Sequence, residues 1–217
     1  TEVMDGGAST KRLNKNGTIS KTTIAKGGAV ESGIVGYFDR NARFPYCRLT
    51  AFNQKELQKF EQALPIIKFV DGKYKELMPA HYKLQRNVAD KTSQDFVIKG
   101  TAFTTVTVNK NWQTAVHKDA GDFKDGFGNL VALRNGNYSG GHFVVVRWGC
   151  GFDLRNGDLL LVDVHQWHGN TPIIKEDRKA TRLSLVMYYR ENMIHCESME
   201  KELKRVKTRK AGSALNG

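Results

Sequence analysis

His117 and Asp119 stand two positions apart in the run His117-Lys118-Asp119. On a β-strand, residues two apart project from one face, so both side chains can reach the same ion. A third ligand has to come from elsewhere, and the chain offers His165 and His168. Two imidazoles and one carboxylate on one face of an octahedron leave positions open for other molecules, which is the facial triad of non-haem Fe(II) oxygenases. Fourteen residues beyond His168 comes Arg182, which opens the run Arg182-Leu183-Ser184-Leu185-Val186. As a strand, this run puts Arg182 and Ser184 on one face and the leucines on the other. A guanidinium entering a β core needs an anionic partner, because an unpaired buried charge is very costly. A dicarboxylate cosubstrate would supply it: Arg182 can grip a carboxylate through two parallel hydrogen bonds, and Ser184 can add a third. A structural ion pair with a protein carboxylate would accommodate Arg182 equally well.

The elements that must carry these side chains are short and β-rich. From about residue 98 onward, FVIKG, AFTTVTVN, LVALRNG, HFVVVRW, DLLLVDV and TRLSLVMYY alternate with turns at Asn135-Gly136-Asn137, Gly140-Gly141, Gly149-Cys150-Gly151 and Asn156-Gly157-Asp158. Many short strands with tight turns indicate a sandwich or barrel. Helices precede them. Asn53 is followed by Gln54-Lys55-Glu56 as a cap, Leu57, Phe60 and Leu64 follow at helical spacing, and Pro65 ends that run. A strand is expected over 44–52, and a second helix over about 74–90, started or broken by Pro79, with Leu84 and Val88 on one face. The fold class expected is α+β, a double-stranded β-helix (jelly-roll) core with N-terminal helices packed outside. The domain reading is an arm or lid over 1–35, one catalytic domain over 36–197, and a basic C-terminal tail over 198–217.

The chain's 217 residues carry a formal net charge of +12, which favours polyanionic partners, nucleic acid first among them. Lys201–Lys210 adds a dense basic stretch, either a solvated helix end or a phosphate-contacting segment. No apolar run reaches membrane-spanning length. Cys47, Cys150 and Cys196 are odd in number, widely spaced and without a CxxC pair, so the sequence supports neither a disulfide framework nor a cysteine zinc site, and a reducing compartment fits best.

With these residues in place, the chain resembles the 2-oxoglutarate oxygenase superfamily. His168-Gly-Asn-Thr-Pro172 followed by Arg182-Leu-Ser-Leu-Val-Met-Tyr-Tyr189 is similar to the ten-eleven translocation (TET) methylcytosine dioxygenases. His117-Lys-Asp-Ala-Gly-Asp122, with Gly128-Asn129-Leu130 and Gly140-Gly141, also resembles the thymine hydroxylases of the base J pathway. The resemblance covers roughly residues 101–192, with a weaker echo around Cys47-Arg48-Leu49. The cysteine-rich region of the animal enzymes is absent, so the likeness is to compact microbial and viral relatives.

The resemblance implies Fe(II), 2-oxoglutarate and O2 as cosubstrate, with His117, Asp119 and His168 as iron ligands. It selects His168 over His165, because the family places its histidine before a small-x-Thr-Pro segment. Arg182 with Ser184 would anchor 2-oxoglutarate, and Arg48 would hold its inner carboxylate. The family contacts the target base eight residues after the arginine and three after the metal carboxylate, which here are Arg190 and Asp122. Asp accepts and Arg donates, so the pair suits cytosine or thymine. The implied substrate is 5-methylcytosine in DNA, oxidised to 5-hydroxymethylcytosine, with the extent of any further oxidation open; the alternatives are thymine hydroxylation to 5-hydroxymethyluracil, oxidation of a protein side chain or small molecule, or an inactive nucleic-acid-binding module. A methyl group in a duplex has to be flipped out or presented in a single strand to reach such a site. Trp112, Phe123, Phe127, Trp148 and Trp167 are the candidates to stack on the base, or to fill the core.

Overall fold

The computed structural model describes residues 2–3 and 31–214, with backbone alone at 2–3 and 208–214. Most of the arm expected over 1–35 and the end of the tail at 215–217 lie outside the described residues.

The strands alternate between two sheets. The five-stranded sheet has the order β1 (Glu2–Val3), β5 (His117–Lys118), β11 (His168–Asn170), β8 (Phe143–Val145), β9 (Cys150–Phe152). The six-stranded sheet has the order β10 (Leu159–Val162), β6 (Gly128–Asn135), β13 (Thr181–Tyr188), β4 (Thr105–Lys110), β2 (Ser32–Phe38), β3 (Arg48–Leu49). Followed along the chain, β4 lies in the larger sheet, β5 in the smaller, β6 in the larger, β8 and β9 in the smaller, β10 in the larger, β11 in the smaller and β13 in the larger. That winding is a double-stranded β-helix, as the turn-punctuated apolar runs predicted. β7 (Tyr138–Gly140) and β12 (Ile173–Lys175) pair separately, with Ile173 opposite Gly140 and Lys175 opposite Tyr138.

Two compact units are interleaved in sequence. One comprises Thr1–Gly33, Val108–Ala120 and Leu130–Leu185; the other comprises Ile34–Thr107, Gly121–Asn129 and Val186–Gly217. The second holds the helices α1 (Ala51–Lys55), α2 (Leu57–Leu77), α3 (Pro79–Lys91) and α4 (Met199–Ala214). Its core gathers Cys47, Ala89, Phe96, Val97, Ala102, Tyr189, Met193 and Cys196.

Several local expectations need correcting. Thr50, not Asn53, caps α1: its hydroxyl accepts from the Asn53 amide, while the Asn53 side-chain oxygen accepts from the Gly36 amide at 2.9 Å. Pro65 does not end α2, which runs on to Leu77 with Phe60, Ile67, Val70, Asp71 and Tyr74 buried in one stripe. The proline is exposed, so water can satisfy the carbonyl it leaves unpaired. Helix α3 buries Gln85 and Ala89 and leaves Leu84 exposed, because Gln85 donates to the buried Ala102 carbonyl at 2.8 Å. The run 96–100 is a 3-10 turn and loop, whose buried Ile98 takes a backbone bond from its own amide to Phe103 rather than joining a ladder. The strand expected over 44–52 shrinks to Arg48–Leu49.

The cysteine reading is overturned as well. Cys47 and Cys196 form a disulfide across 149 residues of sequence, and only Cys150 is free. Such a separation leaves no spacing pattern to read, and the pairing withdraws the cysteine argument for a reducing compartment. Beside the disulfide, the buried Glu202 of α4 accepts from the Cys47 and Glu197 amides, both at 2.9 Å, and pairs with Arg40. Among the described residues, no helix is long and apolar enough to cross a membrane.

Candidate metal centre and cosubstrate pocket

Strand register builds the metal centre. β5 and β11 are antiparallel neighbours in which His117 lies directly opposite His168. Their imidazoles are 4.4 Å apart between ring centres. Asp119, just past the end of β5, is held by its amide's bond to the Val164 carbonyl at 3.0 Å. Its carboxylate lies 3.3 Å from His117 Nε2 and 3.8 Å from His168 Nε2. One ligand atom from each of the three falls within 4.8 Å of the others.

Both rings are oriented from behind. His117 Nδ1 lies 2.7 Å from the Ala115 carbonyl, and His168 Nδ1 2.8 Å from the Gln166 carbonyl. A carbonyl can only accept, so each Nδ1 carries a proton and Nε2 is the nitrogen of each ring left facing the shared space. The Phe143 ring stacks against His168 at 5.3 Å. Burial pushes the His168 imidazole down, which favours the neutral, ligating form. Burial also opposes charge on His117, but the Asp119 hydrogen bond outweighs it and raises that imidazole. Burial works upward on Asp119, yet the His117 bond and neighbouring imidazoles hold its carboxyl below the usual range. His165 is outside the three-residue cluster: its Nδ1 lies 3.0 Å from Asp163.

Strand β13 delivers Arg182 and Ser184 together. Both are buried while Leu183 and Leu185 are only half-buried, so the polar face of this strand points inward. Asn111 clasps Arg182 by the backbone. Its side-chain oxygen accepts from the Arg182 amide and its own amide donates to the Arg182 carbonyl, both at 2.8 Å. Asn111 adopts φ +50°, a left-handed conformation that asparagine tolerates better than most residues. Gly141, at φ +69°, permits the close approach of the Arg182 side chain, since a Cβ there would lie 3.1 Å from Arg182 Cδ. Arg182 is 3% exposed, yet among the described residues its guanidinium makes no hydrogen bond or ion pair, and the Asp153 carboxylate acts on it only from beyond contact distance. Burial therefore pulls its pKa down. An uncompensated buried cation is the mark of a site completed by an anion.

The other predicted residues belong to the second unit. Arg190 does not stand free: its Nε donates to Asp39 at 2.8 Å, and its amide donates to Thr104 Oγ1 at 3.0 Å. Burial disfavours its charge, but Asp39 prevails and raises its pKa. Asp122 is buried and forms an isolated antiparallel bridge with Arg190, so the two expected base-reading positions are adjacent. Arg48 donates to the Asp39 carbonyl at 3.0 Å and lies over the Phe38 and Phe44 rings. Of the aromatic candidates, Phe123 packs edge-on against Tyr189, Phe127 against His81, and Trp167 lies beneath Lys118. Trp148 is exposed. Sequence reasoning missed Asp39 and Asn111, neither of which sits in a motif.

A double-stranded β-helix with a His-Asp-His cluster and a buried, unpaired arginine defines a mononuclear metal oxygenase fold with an anion pocket. Comparison with known families places the chain within that class: residues 33–191 match Tet_JBP, the oxygenase domain of the 2OGFeDO superfamily, and the chain belongs to this family. The superfamily uses Fe(II), 2-oxoglutarate and O2, and the donor set and the uncompensated Arg182 suit that iron and that dicarboxylate. The chain is 38% identical over 166 residues to the bifunctional helicase and thymine dioxygenase JBP2 of Leishmania major, covering 76% of this chain and 15% of that protein. It is 35% identical over 199 residues to the thymine dioxygenase JBP1 of Trypanosoma brucei brucei, covering 89% of this chain and 23% of that one. It thus spans less than a quarter of the length of these relatives. Among solved structures, NgTET1 in complex with 5mC DNA superposes with a TM-score of 0.61 at 16% identity, covering 82% of this chain and 69% of that chain.

Proposed function

We propose that the chain is an Fe(II)- and 2-oxoglutarate-dependent dioxygenase that oxidises the 5-methyl group of a pyrimidine in DNA. The observation that carries this reading is the His117-Asp119-His168 cluster in the same unit as a buried arginine without a protein counter-ion. Iron and 2-oxoglutarate together would supply the oxidising power that no amino-acid side chain possesses. The side chains do the positioning. His117 and His168 present Nε2, with Nδ1 protons parked on carbonyls, and Asp119 contributes the anionic ligand. Arg182 and Ser184 hold the distal carboxylate. Arg48 is the candidate for the inner one, since its hydrogen bond goes to a carbonyl rather than to a carboxylate.

Asp122 and Arg190 are the proposed readers of the target base, with Asp39 fixing the Arg190 side chain. The net charge of +12 suits a DNA substrate, and a flipped-out or single-stranded pyrimidine is the presentation such a site requires. Thymine is the base we favour, because relatives at 35–38% identity carry the name thymine dioxygenase. The 5-methylcytosine reading draws support from the NgTET1 complex, at much lower identity.

Nucleoside mass spectrometry tests both. The protein is incubated with Fe(II), 2-oxoglutarate and DNA containing thymine and 5-methylcytosine. 5-Hydroxymethyluracil dependent on 2-oxoglutarate is the expected product. 5-Hydroxymethylcytosine alone would establish the second reading, and neither product would overturn the nucleobase assignment.

A further inference from the structure

The row of metal ligands in the smaller sheet leads into a hairpin that projects into solvent. His117 lies opposite His168, His168 opposite Val145, and Val145 opposite Cys150, so one line of paired residues crosses β5, β11, β8 and β9. β8 ends at Val145, and the turn Val146–Trp148 follows directly. Adjacent strands lie about 4.8 Å apart and three further residues add at most about 11 Å, so the Trp148 backbone stands within about 16 Å of that of His168. One DNA strand spans that distance in about five nucleotide steps. Every residue from Val146 to Asp153 is exposed, Trp148 by 59%. The turn is nonetheless fixed. The Val146 amide donates to the Trp167 carbonyl at 2.9 Å, the Gly149 amide to the Val146 carbonyl at 3.2 Å, and the Arg147 guanidinium to Gln166 Oε1 at 3.5 Å. An indole held out in water contributes little to folding, since most of its apolar area stays wet. Cations accompany it: Arg147 on the turn itself, and Lys118, whose ammonium lies 5.1 Å from the Trp167 ring centre. The carboxylate of the adjoining segment, Asp163, is taken up by Gln166 at 2.9 Å and the His165 ring at 3.0 Å. Aromatic faces interleaved with cations make up surfaces that stack bases and track phosphates. All these residues belong to the unit that holds the metal cluster.

We propose that Trp148 is a DNA-stacking residue: with the target pyrimidine turned into the metal centre, its indole stacks on a base beside the target, while Arg147 contacts a neighbouring phosphate. This rests on the DNA reading above. Extruding a base forfeits stacking as well as pairing. An aromatic side chain restores the stacking part whatever the sequence, because every base has a π-face. A turn fixed before DNA arrives does so without the entropy loss of ordering a mobile loop. The other aromatic candidates are engaged or less exposed: Phe123 and Phe127 pack against protein rings, Trp167 carries Lys118, and Trp112 is half-buried.

The test is a fluorescence anisotropy titration of a fluorescein-labelled, thymine-containing duplex with protein loaded with Mn(II) and 2-oxoglutarate, repeated across salt concentrations. Trp148→Ala is expected to weaken DNA binding by about tenfold to a hundredfold, the range for one aromatic–base stack. Its salt slope should not change, because no phosphate contact is lost. Trp148→Phe should recover most of the affinity. Arg147→Ala should weaken binding less and lower the salt slope by about one. With 2-aminopurine placed beside the target thymine, fluorescence should stay quenched in the unaltered complex and rise with Trp148→Ala. Unchanged DNA affinity in Trp148→Ala would overturn the proposal. So would a fall in its DNA-free melting temperature or in its 2-oxoglutarate affinity to match, which would make the indole structural. Loss of a dimer on sedimentation, with DNA affinity intact, would also overturn it and make the tip a contact between copies. If the unaltered, loaded protein leaves the duplex unbound, the DNA reading itself fails and this inference with it, a result told apart by needing no variant.

Discussion

The two interleaved units treat buried charge in opposite ways. In the unit holding the β5–β11 pair, among the described residues, Arg182 is sunk without an ion-pair partner and the Tyr138 hydroxyl makes no hydrogen bond. In the unit holding the helices, buried carboxylates are matched internally: Asp39 with Arg190, Glu202 with Arg40, and Asp71 with the Tyr82 hydroxyl at 2.9 Å and the Ala102 amide at 2.7 Å. A disulfide between Cys47 and Cys196 adds a covalent tie to the second unit. Matched groups stabilise a fold; unmatched ones cost stability that only a ligand returns. The contrast lies in buried charge: Arg182 of the first unit awaits an anion, whereas Asp39, Glu202 and Asp71 of the second have partners within it.

That contrast can be broken by mutation. The largest effect is expected at the metal. Asp119→Ala removes the only anionic ligand, and anaerobic Fe(II) titration should show affinity lowered by more than about 100-fold, beyond what loss of an outer hydrogen bond to a metal ligand costs, with turnover abolished. Unchanged affinity would dissolve the cluster as a site. Next, Arg182→Ala should raise the Kd for 2-oxoglutarate by about 100-fold, through loss of two charge-assisted bonds. Because the guanidinium is unpaired before ligand binds, the same change should leave the ligand-free melting temperature unchanged or higher; a large fall would mean a protein counter-ion exists.

The second unit should behave the other way. Cys47→Ser should destabilise the protein by about 2–4 kcal/mol in denaturant unfolding, the usual range for a disulfide, with Fe(II) affinity intact. Asp39→Asn should cost less, about 1–2 kcal/mol, since Arg190 is partly exposed and water compensates for part of what a fully buried pair would lose. Its sharper signature is functional: kcat/KM on DNA should drop several-fold while the Kd for 2-oxoglutarate holds.

The sequence made the first unit's chemistry more legible than the second's, for physical reasons. His117 and Asp119 were readable from their two-residue spacing, although β5 ends at Lys118 and the Val164 bond holds Asp119 beside the histidine. Arg182 and Ser184 followed by the same rule. His168 over His165 came from resemblance, and the geometry that separates them, His165 turned to Asp163, depends on a turn that spacing does not encode. Asp39 and Arg190 are 151 residues apart, and Cys47 and Cys196 149, so nothing local announces either pair. The double-stranded β-helix was visible as turn-punctuated apolar runs, whereas Pro65 misled because an exposed helical proline costs less than a buried one.

The opposition of His117 to His168 across β5 and β11 has a consequence for assembly. Side chains on a strand alternate faces, so a slip of one residue in that pairing would turn a histidine away from its partner and from Asp119. A chain paired in the wrong register would lose the three-residue cluster and with it the means to hold an ion. A metal-binding measurement on the folded chain therefore doubles as a readout of strand register.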